Sequence, residues 1–426
     1  MAVMMAANQR AIVGALRLGI QVACNAARSF TEVSSKGHLM TMNNVRSHLR
    51  EIVGASEMWS HGSSRTQPHG SLPKSQTELP ARRMRDSLLE VELPLGRLPE
   101  LREKYINMHG GVRFGRILEE LDTFAILISY QHTKKEGSMR SPLSIVTAMV
   151  DKIVVDKQQS LLVTDQDISF RGHVSWVGKT SMEVQMQVMQ NGKDKLQATF
   201  VVVARDPQNQ RSAFLNPLQY DGAEEEKLFT QGQLAKERRV AASKVSLLKM
   251  APTAEEREIV HKIFLNTLDT QSVTFKARVL PENSQWMENT KLKNLMICHP
   301  QERNIHNKIF GGFLMRKAFE LAWANACVYS GGRVEVFAVD DILFQNPVEI
   351  GSLLYLSSEV CYTQDKFLQV RVHSGVMNPQ TRIYTTTNIF HFIFGAQLAV
   401  PQVVPHTYGE SMLYLDGKRH FESSMT

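Results

Sequence analysis

Residues 299–328, HPQERNIHNKIFGGFLMRKAFELAWANACV, decide how this chain is read. A proline and a polar run lead into Asn304-x-His306, and the paired glycines Gly311 and Gly312 follow. Then Phe313, Leu314, Met315, Ala318, Phe319, Leu321, Ala322 and Trp323 dominate, with Arg316, Lys317, Glu320 and Asn325 between them. A helix apolar on nearly every side has to be buried on nearly every side. The glycine turn before it allows close backbone approach and leaves first-turn N–H groups open to a ligand. The stretch therefore predicts a central helix whose N-terminus, the positive end of its dipole, opens onto a site where negative charge develops.

The same pattern occurs earlier. Residues 107–122, NMHGGVRFGRILEELD, align without gaps to 304–319, NIHNKIFGGFLMRKAF, sharing Asn107/Asn304, His109/His306, Val112/Ile309 and Gly115/Gly312. Asp-Ile-x-Phe then recurs, at Asp167 and at Asp341, each time before an alternating strand. The offsets are 197 residues for the first block (304 − 107) and 174 for the second (341 − 167). On that alignment the first copy carries 23 extra residues (197 − 174) between helix and sheet. Two copies are too few for a solenoid and fit a duplicated α+β unit, one helix with a run of antiparallel strands.

A chain of 426 residues is long enough for two such cores. Its formal charge is +7, but residues 1–50 hold five arginines and Lys36 against Glu32 alone, so the remainder is near +2. That excludes basicity as an argument for nucleic acid. Residues 1–31 contain no Asp or Glu, and Arg10, Arg17 and Arg28 share one helical face among Ile12, Val13, Leu16, Leu18 and Ile20. This is the acid-poor, arginine-bearing pattern of a transit peptide rather than of a secretory signal, the alternative being a cytosolic amphipathic extension. No run approaches the ~18 apolar residues of a transmembrane segment. Cys24, Cys298, Cys327 and Cys361 show no paired spacing, which suits a reducing compartment and offers no zinc site.

In order, the chain reads as a transit segment (1–31), a helix and polar linker (32–80) and a first unit (81–207). A charged helical linker (208–270), a second unit (271–400) and an ordered tail (401–426) follow. The linker includes Thr253-x-x-Glu256, a capping box.

The Asn-x-His-x₅-Gly run, the buried helix and the D-x-x-F…P-V-x-x-G strands resemble the hot-dog fold, a long antiparallel sheet wrapped round one helix. The strings IFGGFLMRKAFELAWA, HVSWVGKTSMEV and YGESMLYLDG are similar to the tandem hot-dog acyl-coenzyme A thioesterases, on their mitochondrial branch. That resemblance covers residues 80–425. It implies an α+β double hot-dog that hydrolyses acyl-CoA to free acid and CoA in the mitochondrial matrix. It implies no cofactor and no metal, and a homo-oligomer of double units. Sites in such folds lie where two units meet, with glycine-turn amides from one and an acid from the other.

Carried onto this chain, the pattern splits unevenly. One composite site has Asn304, His306, Gly311 and Gly312 facing Asp122, with Asn307 as an alternative polar residue in the loop. Its mate has Asn107, His109 and Gly115 facing Glu320, with Phe114 in place of the first glycine and Phe319 at the acid position. Amides at the helix N-terminus would stabilise the oxyanion, and Asp122, its pKa raised by burial, would activate water. Against this stand local roles: Asn304 and His306 closing their own loop, and Glu320 pairing with Arg316 one turn back. Arg113, Lys308, Arg316 and Lys317 lie near the turns where CoA phosphates would enter. Two other readings are a hot-dog hydratase or dehydratase with His306 as base, and a non-catalytic acyl-CoA-binding regulator.

Overall fold

The computed structural model describes residues 40–55, 58, 72–135, 137–156, 162–269, 271, 275 and 277–425. The arginine-bearing segment 1–31, Cys24 and most of the linker at 60–76 lie outside them.

Two helices form the centre, α2 (Phe114–His132) and α5 (Gly311–Ser330). On α2, Ile117, Leu118, Leu121, Phe124, Ala125 and Ile128 have no exposed surface, as expected of a helix apolar all round. Each helix is wrapped by five antiparallel strands. Around α2 these are β1 (Leu89–Leu93), β2 (Ser144–Val155), β3 (Ile168–Val177), β4 (Ser181–Gln190) and β5 (Lys193–Arg205). Around α5 they are β6 (Leu292–Ile297), β7 (Val334–Phe344), β8 (Leu353–Gln364), β9 (Phe367–Met377) and β10 (Tyr384–Ala396). The order across the sheet is β1-β3-β4-β5-β2-β7-β10-β9-β8-β6, with the two-residue strand Met40–Thr41 extending the β1 edge. The order is palindromic about the antiparallel β2–β7 pair, in which Val150 faces Ile342.

The strand pairings correct the internal alignment. Asp167 immediately precedes β3, whereas Asp341 lies inside β7, the counterpart of β2, so the two Asp-Ile-x-Phe strings are not equivalent. The bulges give the true register. Trp176 pairs with Glu183 just past a bulge in β3, and Tyr362 pairs with Gln369 just past the matching bulge in β8. The sheet offset is therefore 186 (362 − 176), and the first copy carries 11 extra residues (197 − 186) rather than 23. Most of the excess is the 133–143 loop, which corresponds to 331–333. A four-residue string is a weak register marker when every strand alternates, because many slips preserve the pattern.

The remaining helices dress this frame. α1 (Met42–Val53) buries Met42, Val45, Leu49 and Val53, one stripe at helical spacing, and packs on α2. α3 (Ala223–Lys244) crosses β3 so closely that a Cβ on Gly232 would meet Trp176 Cβ at 2.4 Å, and Trp176 Nε1 donates to Gln233 Oε1. α4 (Ala254–Asn266) starts with the Thr253/Glu256 capping box. The tail folds as α6 (Tyr408–Met425) on β8 and β9, with Arg419 bonded to Glu256 of α4 through Nε at 2.6 Å and Nη2 at 2.8 Å. No helix among the described residues is long and apolar enough to cross a membrane.

Candidate active site

The glycine turns bring the two central helices together. A Cβ on Gly312 would lie 2.9 Å from Glu119 Cα of α2, and one on Gly115 would lie 3.0 Å from Arg316 Cγ of α5. At Gly312 glycine is needed because the facing helix backbone occupies the space a side chain would take, whereas at Gly115 the tight neighbour is the Arg316 side chain. The close approach carries Asp122, two turns into α2, onto the start of α5.

Asp122 is 2% exposed. Its Oδ2 accepts the Gly312 N–H at 2.7 Å, and its Oδ1 accepts the Thr147 hydroxyl of β2 at 2.5 Å. Burial pushes its pKa up to about 6; the Thr147 and Gly312 hydrogen bonds oppose that rise, and Glu119 nearby adds to it. A carboxylate with this pKa is ionised at neutral pH yet basic enough to take a proton. The Gly311 N–H, one residue earlier, has no hydrogen-bond partner among the described residues, and Gly311 lines the same cavity as Asp122. The two amides thus divide the work: Gly312 holds the acid, while Gly311 offers a donor at the positive end of the helix dipole. The cavity they share is about 530 Å³ and is lined from both copies, by Ile126 and Ile145 of the first and by Leu314 and Phe344 of the second.

The loop of the second copy is self-bracing. Asn304 Oδ1 accepts the N–H groups of His306 at 2.8 Å and Lys308 at 3.1 Å, and Asn307 takes a left-handed conformation (φ 58°). His306 Nε2 lies 3.2 Å from the Ile145 carbonyl, which requires a proton on that nitrogen. The ring thereby pins this loop to β2 of the other unit. Asn304, His306 and Asn307 all line the cavity. Asn107 repeats the brace, accepting from His109 at 2.9 Å and Gly111 at 3.1 Å.

The second junction is built differently. Asn107, His109, Gly115 and Glu320 do line one cavity, of about 420 Å³. At the acid position, Phe319 packs on Phe114 with ring centroids 5.0 Å apart, and on Phe392 and Phe394. Thr147 precedes a bulge in β2, and Val336 precedes the matching bulge in β7, so Val336 stands where Thr147 does. Acid, hydroxyl and first glycine are all replaced by apolar side chains. Glu320 does not stand in for the acid. Its Oε1 accepts from Arg113 at 2.6 Å and its Oε2 from Lys317 at 3.5 Å. Partial burial pushes its pKa up, but Arg113, Lys317 and Arg316 outweigh that and hold it below the usual range.

The four basic residues expected at the phosphates each face a carboxylate. Arg113 and Lys317 pair with Glu320, Lys308 with Glu349, and Arg316, which is buried, with Glu119. Thr147 was not found from the sequence, because the misplaced second block hid its register. Elsewhere, His391, Asp416 and His420 bring possible ligand atoms within 4.8 Å of one another. The two rings stack at 3.7 Å and 20°, however, so their in-plane lone pairs run side by side and do not converge on an ion.

Two five-stranded units, each round one helix and joined edge to edge with an acid–amide site at the junction, define a double hot-dog protein. No protein-family model matches the chain. It is 59% identical over 396 residues to the human (Homo sapiens) mitochondrial acyl-coenzyme A thioesterase 9, covering 91% of this chain and 90% of that protein. It is 55% identical over 394 residues to the mitochondrial acyl-coenzyme A thioesterase 10 of Mus musculus, covering 90% and 89%. Among solved structures it is similar to an acyl-CoA hydrolase of Staphylococcus aureus, at 23% identity and a TM-score of 0.32, covering 33% of this chain and 89% of that one. The chain belongs to the acyl-coenzyme A thioesterase family.

Proposed function

We propose that the chain hydrolyses acyl-CoA thioesters to free acid and CoA in mitochondria, and that it does so at the Asp122 junction alone. The family membership supports the reaction and its location. The observation that carries the site is the buried Asp122 carboxylate bonded to the Gly312 amide, beside the open Gly311 N–H. In this reading residues 81–207 and 271–400 are the two units, and each contributes half of the chemistry.

The thioester carbonyl points at the Gly311 N–H, which is the oxyanion donor, worth about 2.7–4 kcal/mol in the transition state. Asp122 takes a proton from water, and that water attacks the carbonyl carbon. The tetrahedral intermediate collapses, breaking the C–S bond. The thiolate takes the proton back from Asp122, so that CoA leaves as the thiol and the carboxylate is regenerated. Thr147 and Gly312 fix the two carboxylate oxygens, while Asn304 and His306 shape and dock the loop before the turn. Asn307 takes no part in the chemistry and shapes the cavity wall. The junction with Glu320 is not catalytic, since an ion-paired carboxylate of lowered pKa is a poor base.

The test is CoA release from an acyl-CoA, followed with a thiol reagent. Asp122→Asn loses turnover by about 10²–10⁴-fold, the range for a general base, whereas Glu320→Gln stays close to wild type. Full turnover in Asp122→Asn would refute the assignment. The reading includes a homo-oligomer of double units, supported by Leu295 and Ile297 of β6, which are exposed at the sheet edge. Analytical ultracentrifugation decides it, and a monomeric chain at assay concentration removes this part.

A further inference from the structure

The two junction cavities differ in charge as well as in chemistry. The cavity behind Phe319 is lined by Arg113, Lys195 and Arg333 against Asp156, Glu320 and Glu335, so formal charges balance. The cavity of Asp122 is lined by Arg46, Arg50, Arg116, Arg205, Arg303 and Lys308 against only Glu119, Asp122 and Glu302. Among lining residues the surplus lies where the acid and open amide stand. Arg46 and Lys308 are already paired to Glu120 and Glu349, so Arg50 and Arg205 are the cations there to hold an anionic substrate.

Much of that surplus comes from outside the catalytic units. Arg46 and Arg50 are one turn apart on α1 and each directly follows a residue of its buried stripe, Val45 and Leu49. The apolar stripe seats α1 on α2, and that seating turns the arginine row along the cavity wall. Arg46 is tethered, its Nη2 2.9 Å from Glu120 Oε1, an oxygen that also accepts the Tyr105 hydroxyl at 2.6 Å. Arg50 has no carboxylate partner among the described residues. Among the described residues the Arg205 side chain, at the end of β5, bonds only to the carbonyls of Asn209 at 3.3 Å and Gln210 at 3.1 Å. Guanidinium groups without a carboxylate, on the wall of a cavity that also holds a hydrolytic acid, are suited to phosphate oxygens.

We propose that Arg50 of α1 and Arg205 of β5 form the subsite for the phosphate groups of CoA, with Arg46 anchoring α1 in place. The N-terminal helix is then part of the substrate site, and the residues first expected at the phosphates serve internal ion pairs. This rests on the acyl-CoA reading above. It adds a requirement which that reading does not contain: recognition of the phosphates is separable from recognition of the thioester arm.

The experiment is calorimetric binding of CoA, 3′-dephospho-CoA and pantetheine to the full chain and to Arg50→Ala, Arg50→Lys and Arg205→Ala. Alanine is a good helix former, so Arg50→Ala keeps α1. The affinity ratio of CoA to pantetheine falls about tenfold in Arg50→Ala and in Arg205→Ala, as for loss of one charge-assisted bond, and Arg50→Lys recovers part of it. The CoA preference of the wild type also weakens with added salt. An unchanged ratio in both alanine variants overturns the proposal, and a fall confined to Arg205→Ala overturns the role of α1. Turnover is read separately. If Asp122→Asn still hydrolyses acyl-CoA while the binding ratio depends on Arg50, the catalytic reading fails and the phosphate subsite stands. The reverse pattern fails the subsite alone.

Discussion

Glu119 and Arg316 occupy the same position in the two copies, 197 residues apart, and they pair with each other, Arg316 Nε lying 3.0 Å from Glu119 Oε1. They sit where α2 and α5 cross, close to the axis that relates the two units. In a dimer of identical chains a residue facing its own copy across such an axis must tolerate its own charge. Joining both units in one chain removes that constraint. The same freedom allows Asp122 in one copy and Phe319 in the other.

The pair is buried, and Glu119 also accepts from Arg116 at 2.7 Å. Removing Glu119 leaves two guanidinium groups without their anion, whereas removing Arg316 leaves Glu119 still paired. Glu119→Met therefore destabilises the fold by about 3–5 kcal/mol, as for breaking a buried pair, and Arg316→Met costs less than half as much. Urea unfolding of both variants measures the difference, and equal costs would contradict this account.

Asp122 links activity to pH. Its pKa of about 6 makes kcat rise as pH increases through 6 and level off above, because only the carboxylate accepts the proton. Stability moves the other way. The folded state holds this proton more tightly than an unfolded aspartate does, so the charged group costs stability above pH 6. That cost is relieved as pH falls from 6 towards 3.8. Asp122→Asn, inactive, is more stable than wild type at pH 8 by roughly 3 kcal/mol, from a shift of about two pKa units. The gap closes near pH 4. Thermal melts at the two pH values check it.

Thr147 lowers the pKa of Asp122 through the hydroxyl it donates to Oδ1. In Thr147→Val the inflection of the rate profile moves to higher pH. Turnover at pH 7 falls by about tenfold, the worth of one hydrogen bond to a charged group. A profile that drops without shifting would make Thr147 a packing residue only.

Gly312 and Gly115 are equivalent in sequence, but they meet different atoms. A Cβ on Gly312 strikes Phe310 Cε1 at 2.6 Å and the Glu119 backbone at 2.9 Å; one on Gly115 meets the Arg316 side chain at 3.0 Å. Backbone cannot yield as a long side chain can. Gly312→Ala costs about 1–3 kcal/mol and depresses kcat by moving the amide that holds Asp122. Gly115→Ala is milder in stability and leaves kcat near wild type. Denaturation midpoints and initial rates on the two variants decide the order.

The architecture was legible in the sequence because it follows from local pattern. Helices apolar on every face must be wrapped, and the Asn-x-His…Gly runs at 107–115 and 304–312 marked both copies. Their spacing also placed Asp122 two turns into the first helix, where Phe319 stands in the second, and Gly311–Gly312 at the start of that second helix. Register was less legible: Asp167 and Asp341 are similar strings on strands that are not equivalent, since alternation survives a slip. Side-chain partners were legible where they are local, as in the Thr253/Glu256 capping box, or where the resemblance implied them, as for Asp122 and the glycine turn; the rest were not. Nothing in the sequence says that Glu320 is tied to Arg113, or that Thr147 reaches Asp122.

What the sequence alone determined was the duplication, the wrapped helices and the candidate acid, because burial periodicity and glycine placement act over a few residues. Tertiary structure decided which acid is buried against an amide, which amide is left open and which arginines have no carboxylate partner among the described residues. Those properties depend on desolvation and on neighbours far away in the chain, such as Thr147 and Gly312, 25 and 190 residues from Asp122. Coulomb and hydrogen-bond energies depend on distance in space, and only the folded chain sets that distance.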